Sequence, residues 1–381
     1  MKYYEAKFII DCNSIKIENK FLNKDGNSFK SLYYDKKYEL FSNIYPVFVS
    51  TMHSLIKNMI TYNIKEKKDD YLFNFIDYAV IDESGQCNPE IGSLAFLFSK
   101  KAIVVGDTDQ IEPIYGVKLK IDNLIYNDIM KKNINIADFS TLPFNCSSGN
   151  VMKIAQNNSL YNPYHMVLSK GLYLLEHRRC PNEIISYCNE LVYGNKLEYS
   201  EGSDFESFTK GKLYLNNQKP WNFIDVKGEF VSNTNSKHNK EEAVKIAEWL
   251  EFNYDKIIKD NDNKKIENIV AVLTPYAGQE RIIKSELKKI NNPNIPKNAF
   301  ANLVVGTAHK LQGAERDIIL FSSTWRYSDK SKTSFIDNSK SIINVVISRA
   351  KQSIYVFGDS ESFKKSTGES TKLMWKYLKD N

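Results

Sequence analysis

Short apolar runs that end in polar turns recur along this chain, and amphipathic stretches separate them. The runs are Tyr78–Ile81, Ala102–Val105, Trp221–Val226, Ile269–Leu273, Leu303–Val305, Ile318–Phe321 and Ile354–Phe357. Each has the length and the bounding turn residues of a buried strand. Between them, Glu183–Val192 sets Ile184, Cys188, Leu191 and Val192 on one helical face, with Pro181 suited to the first helical turn. Glu241–Phe252 reads as a second helix, with Val244, Ala247 and Leu250 inward. Strands alternating with helices predict an α/β fold whose mostly parallel sheets are covered on both faces. In such sheets ligands bind beyond the carboxyl ends of strands, and here the polar motifs mostly follow the apolar runs.

The chain has 381 residues, which predicts two domains, and 42% hydrophobic residues supply their cores. The pattern divides it into an N-terminal segment (1–45), a first domain (46–145), a hinge region (146–170) and a second domain (171–381). The formal charge of +6 admits a polyanionic partner, or only favours solubility. Cys12, Cys87, Cys146, Cys180 and Cys188 form no C-x-x-C pair. Their odd number in a long chain predicts reduced thiols and a cytoplasmic setting. No apolar run approaches the ~20 residues that span a bilayer. The N-terminus carries charges inside its short apolar stretch, unlike a secretory signal. The five histidines have no ligand spacing with the cysteines.

Two motifs carry chemistry in the first half. Tyr78-Ala-Val-Ile-Asp-Glu-Ser-Gly-Gln86 brings Asp82 and Glu83 off the end of a strand. One carboxylate there can hold a hydrated Mg²⁺, which dehydrates reluctantly and takes few protein ligands. The next can orient and deprotonate an attacking water in phosphoryl transfer. The same pair can also simply cap a helix. About twenty residues on, Ile103-Val-Val-Gly-Asp-Thr-Asp-Gln-Ile-Glu-Pro113 ends a second strand, and Gln110 can hydrogen-bond a terminal phosphate and the water, or merely sit in a turn. The spacing suits one strand-helix-strand step.

Together the two motifs resemble motifs II and III of superfamily 1 helicases, of the branch that includes RNA-surveillance and Okazaki-fragment helicases. Later segments resemble the family's motifs in the expected order. These are Leu175-Glu-His-Arg-Arg-Cys-Pro181, Val272-Leu-Thr-Pro-Tyr-Ala-Gly-Gln279, Val305-Gly-Thr-Ala-His-Lys-Leu-Gln-Gly-Ala-Glu315 and Asn344-Val-Val-Ile-Ser-Arg-Ala-Lys351. Pro46-Val-Phe-Val-Ser-Thr-Met-His-Ser54 is similar to the strand and turn that touch nucleic acid before motif II. The likeness covers roughly residues 46–360 and implies two RecA-like domains with ATP between them.

Residue by residue, the resemblance implies Asp82 for the metal and Glu83 and Gln110 for catalysis. Arg178 and Arg349 go to the γ-phosphate, where a guanidinium bridges two phosphate oxygens. Only the family register selects Arg178 over Arg179. Gln312, Gly313 and Glu315 fall in the nucleotide-contacting segment, Glu315 toward the ribose. Ser50, Thr51, Thr274, Pro275, Tyr276, Thr307 and His309 fall along the strand channel. Hydroxyls there bond phosphates without reading sequence, and Tyr276 can stack on a base. The implied partner is single-stranded nucleic acid, DNA rather than RNA, with 5′ to 3′ movement.

One element of the family pattern is missing. No G-x-x-x-x-G-K-[ST] loop occurs, and that loop cradles phosphates on backbone N–H groups. Gly211-Lys212 lacks the upstream glycine and the following Ser or Thr, and Gly26 with Lys30 and Ser31 has the wrong spacing. Retention of Asp82, Glu83, Gln110, Arg178 and Arg349 favours a piece of a longer motor, its first RecA-like domain incomplete and the loop supplied in cis or trans. The alternative is a non-hydrolysing subunit that binds nucleic acid.

Overall fold

The structure, a computed structural model, describes residues 6–7, 9–10, 38–39 and 41–380 except 64–65, 67, 164–168, 201, 210–214, 216–217, 234–235, 260–263, 312–313 and 329–330. Most of the segment 1–45 lies outside the described residues, and so do Gln312 and Gly313. The chain forms two compact units. One comprises residues 1–108 and 112–159, the other residues 109–111 and 160–381.

In the first unit, α1 (Met52–Asn58) precedes an antiparallel hairpin of β1 (Ile60–Asn63) and β2 (Lys68–Tyr71). Two parallel strands follow, β3 (Ile76–Ile81) and β4 (Ser99–Val104), in register from Ile76↔Ser99 to Ile81↔Val104. Their inward face is covered: Ile81 packs with Ala95 of α2 (Leu94–Phe98) and Val151 of α4 (Val151–Asn158). The other face, which carries Tyr78, Val80 and Ile103, is exposed. The expectation of a sheet covered on both faces therefore fails here. Each large apolar side chain left in water forgoes about 1.5–3 kcal/mol of burial. The amphipathic α3 (Leu119–Met130) likewise exposes Ile121, Leu124, Ile125 and Ile129.

Two further expectations change in this unit. Residues 46–50 form no strand, because no described strand offers their backbone a ladder. Residues 146–159, placed in a hinge by the sequence, pack on the first unit instead. There Asn150 caps α4 through the Lys153 N–H at 2.8 Å, and Val151 is wholly buried.

The second unit is built on a five-stranded, all-parallel sheet. Its strands are β7 (Trp221–Asp225), β10 (Val270–Leu273), β11 (Val304–Gly306), β12 (Arg316–Ser322) and β13 (Ala350–Gly358), in the order β11-β10-β12-β13-β7. Two short pairs lie outside it: β5 (Glu176–His177) with β6 (Glu198–Tyr199), and β8 (Phe230–Asn233) with β9 (Ser236–Asn239). Successive side chains of a strand face opposite ways, and both faces are buried here. Ala271, Leu273, Ile319, Phe321, Ile354 and Val356 enter one core with α5 (Asn182–Leu191). Val270, Val272, Ile318, Leu320, Tyr355 and Phe357 enter another with α6 (Lys240–Lys259) and α7 (Ala277–Leu287). Helices α8 (Phe335–Asn338), α9 (Lys340–Ser348), α10 (Ser360–Lys365) and α11 (Glu369–Asp380) complete the first of these layers.

This doubly covered parallel sheet is the α/β architecture expected of a RecA-like domain. It aims the ends of β10, β11 and β12, and the residues just beyond them, at one edge. Among the described residues no helix is long and apolar enough to cross a membrane.

Candidate functional site

The acidic motif leaves β3 into a tight turn. Glu83 has φ +50°, in the left-handed region that a side chain rarely adopts. Its N–H donates to Asp82 Oδ1 at 2.9 Å, and Gln86 Nε2 donates to Glu83 Oε2 at 2.8 Å. Neither carboxylate caps the short 3₁₀ turn Ser84–Gln86 by a side-chain bond, so capping does not explain the pair. Ser84 is fully buried, and its N–H and hydroxyl both reach the Val105 carbonyl, at 2.9 and 2.8 Å. A side chain on Gly85 would strike the Asp107 carbonyl, and one on Gly106 would strike Ser84. The two glycines thus let motifs II and III lie backbone to backbone at the ends of adjacent strands. Asp82 is exposed there with one oxygen bonded to the backbone. A single accessible carboxylate fits a hydrated Mg²⁺, which needs only one or two from the protein. Among the described residues no group of three or more His, Cys, Asp or Glu is gathered to hold a metal.

Residues 109–111 belong to the second unit. There Arg349, 4% exposed at the end of α9, donates from Nη2 to Gln110 Oε1 at 3.3 Å. Asn344, one helical turn earlier, donates to the Asp109 carbonyl at 2.9 Å and to the Tyr193 hydroxyl at 2.8 Å. Ile111 is buried in the same core as α5 and α9. The amide of Gln110 and the guanidinium of Arg349, from the Asn344–Lys351 segment, are therefore direct neighbours.

The two consecutive arginines diverge. Arg178 is exposed and donates from Nη2 to both Glu176 oxygens, at 2.8 and 2.9 Å. Arg179 Nε lies 3.4 Å from Glu315, which Lys351 also approaches at 3.5 Å. What parts them is His177. The N–H groups of Arg179 and Cys180 point at its Nε2, at 3.2 and 3.1 Å, and Cys180 Sγ lies 3.1 Å away. Burial, with the Arg179 charge second, pushes the His177 pKa down to about 4. The ring stays neutral, and Nε2 acts as an acceptor that closes the turn. Cys180 is wholly buried and its thiol is raised far above the ordinary range by that burial, so it is inert.

The candidate strand contacts divide into exposed and buried groups. Thr51 caps α1, accepting the Ser54 N–H at 3.3 Å, and Asn58 donates to Ser50 Oγ at 3.3 Å; both hydroxyls remain exposed. Thr274, Pro275, Thr307 and His309 line a cavity of about 170 Å³ with Phe335 and Ile342. Thr274 itself is 2% exposed, and its Oγ1 lies 3.1 Å from Thr324 Oγ1. It presents no hydroxyl at the surface, because the buried partner takes it. Tyr276 sits at the start of α7, with Lys237 Nζ 5.1 Å from its ring centre and the Phe335 ring edge-on at 5.6 Å.

Residues 156–361 match the AAA domain family. The chain belongs to this family, among the superfamily 1 helicases. It is 24% identical over 362 residues to an uncharacterized ATP-dependent helicase of Mycoplasma genitalium, covering 91% of this chain and 28% of that protein. It is 27% identical over 238 residues to helicase sen1 of Schizosaccharomyces pombe, covering 61% of this chain and 13% of the relative. The chain thus spans about a quarter or less of the length of these curated helicases. The solved PRRSV helicase matches 76% of this chain, which covers 36% of that structure, at 12% identity and a TM-score of 0.32, too loosely to carry an argument.

One buried polar residue of the second unit was not legible in the motifs. Helix α6 buries Ala243, Ile246, Ala247 and Leu250, while Val244, expected inward, is only half-buried. Glu242 falls on the same buried face, four residues before Ile246, and is wholly buried. That i, i+4 relation was the available signal. Thr324, just beyond β12, has φ +48°, a strained position for a β-branched residue that costs roughly 1–3 kcal/mol.

Proposed function

We propose that this chain is part of an ATP-dependent motor that moves on single-stranded nucleic acid. The contact between Gln110 and Arg349 supports this reading most strongly. An amide and a buried guanidinium, from segments 239 residues apart, converge as a pair able to meet one terminal phosphate. In this reading Glu83 takes the proton of the attacking water, and its left-handed backbone holds it beside Asp82. Asp82 would hold Mg²⁺, which supplies charge neutralisation at the phosphates. Arg349 and Arg178 offset the charge that builds on the transferred group. Gln312, Gly313 and Glu315 link the nucleotide to the strand, and Glu315 already lies among cations. Ser50, Thr51, Pro275, Tyr276, Thr307 and His309 touch the strand, with Thr274 behind them. The Glu-His-Arg-Arg-Cys-Pro motif is similar to that of bacterial DNA helicases, which favours DNA, and the branch favours 5′ to 3′ movement.

The phosphate-cradling loop has no counterpart in this sequence, so hydrolysis is proposed to need a further segment, in cis or in trans. Phosphate release measured with and without oligonucleotide tests this. The purified chain should show no stimulated hydrolysis, and the chain joined to a loop-bearing segment should show it. Robust stimulated hydrolysis by the chain alone, abolished by Glu83→Gln, would overturn the division of labour.

A further inference from the structure

Glu242 takes part in no step described above, yet four hydrogen bonds converge on its buried carboxylate beside the five-stranded sheet. A buried carboxylate is costly unless its oxygens are filled. Its donors come from two other elements. Ser322 Oγ donates to Oε2 at 2.6 Å, the Thr324 N–H to Oε2 at 2.9 Å, Ser323 Oγ to Oε1 at 3.4 Å and Asn239 Nδ2 to Oε1 at 3.3 Å. Thr324 is the strained residue, and such backbone persists only where its surroundings over-determine it. From Thr324 the bonding continues through its hydroxyl to Thr274, where the Pro275–Tyr276 turn begins. At the other end of that turn, Gln279 donates to Ser322 Oγ at 3.0 Å and to the Asn239 carbonyl at 2.9 Å, and accepts the Asn239 N–H at 2.8 Å. One buried carboxylate thus ties both ends of residues 274–279 to β9 and to the end of β12.

We propose that Glu242 is the positioning residue for the strand-contacting turn, holding Thr324, Thr274 and Gln279 so that Tyr276 is presented to a single strand without rearrangement. Such pre-organisation raises affinity by removing ordering cost from the binding step. The inference rests on the reading of Pro275 and Tyr276 as a strand contact.

Fluorescence anisotropy with labelled oligo-dT and oligo-rU on the full chain tests it, with thermal melting run in parallel. Tyr276→Ala should weaken binding about 5–10-fold, within the range of one lost base stack. Glu242→Ala should weaken it comparably, Glu242→Gln should stay within about 2-fold of the parent because its amide oxygen still accepts the Thr324 N–H, and the double alanine variant should be no weaker than Tyr276→Ala, since coupled residues are non-additive. Thr324→Gly relieves the backbone strain but removes the hydroxyl, so it should keep or raise the melting temperature while weakening binding. It carries the test if Glu242→Ala does not fold. Parental affinity in Glu242→Ala or in Thr324→Gly, or additive losses in the double variant, would overturn the proposal. Parental affinity in Tyr276→Ala would instead remove the underlying strand-contact reading.

Discussion

Arg349 and Gln110 are hydrogen-bonded, Nη2 to Oε1 at 3.3 Å, in the second unit. The arginine is almost wholly buried. Removing a hydrogen-bond partner from a buried group costs about 1–3 kcal/mol. Gln110→Ala should lower the urea midpoint accordingly, with the m-value unchanged. In a motor reconstituted with its phosphate loop, Arg349→Ala should lower ATP turnover by roughly 10³–10⁵-fold. Strand binding without nucleotide should change far less, and normal hydrolysis by Arg349→Ala would end its assignment to the γ-phosphate.

In the proposed function Glu83 and Asp82 divide the work by position. Glu83→Gln keeps the shape and the acceptor for Gln86 but removes the base. Nucleotide binding by the reconstituted motor should persist while turnover falls about 10²–10⁴-fold. Steady-state hydrolysis beside equilibrium binding of a labelled nucleotide separates the two effects. Parental turnover in this variant would show that another group activates the water.

Arg178 and Arg179 offer a direct comparison. Arg178 is exposed and pairs with its near neighbour Glu176, so Arg178→Ala should leave the melting temperature unchanged and depress hydrolysis. Arg179 pairs with Glu315, so Arg179→Ala should act chiefly on nucleotide affinity, raising the KM for ATP. The reverse pattern, with turnover lost only in the Arg179 variant, would move the catalytic role by one residue.

His177 and Glu242 give opposite pH signatures. His177 has its pKa pushed down to about 4 by burial, against an unfolded value near 6.5. The unfolded chain therefore binds the extra proton first, and stability falls as pH drops from about 6.5 toward 4, by on the order of 3 kcal/mol. Glu242 has its pKa raised to about 7 by burial. The folded chain holds that proton longer, so this group's contribution is present in acid and is lost as pH rises from about 4.5 through 7. Denaturant titrations across pH 4–8 should show the acid loss missing in His177→Asn and the neutral loss missing in Glu242→Gln. Curves for both variants parallel to the parent would contradict the burial assigned to these groups.

The sequence by itself determined the alternation of strands and helices, the order of the motifs and their place after strand ends. Those properties follow from local periodicity and turn chemistry, which neighbouring residues settle among themselves. Tertiary structure decided the rest. Only folding brings Gln110 to Arg349, sends Arg179 rather than Arg178 to Glu315, and turns the Thr274 hydroxyl inward on Thr324. Only folding leaves Val80 and Ile103 exposed on a strand pair whose other face is packed, while both faces of the five-stranded sheet are buried. Burial and pairing belong to contacts between segments far apart in the chain. Glu242 shows the physical reason most plainly: its position on the helix follows from a spacing of four residues, but three of the four donors that make a buried carboxylate tolerable lie about eighty residues further along the chain.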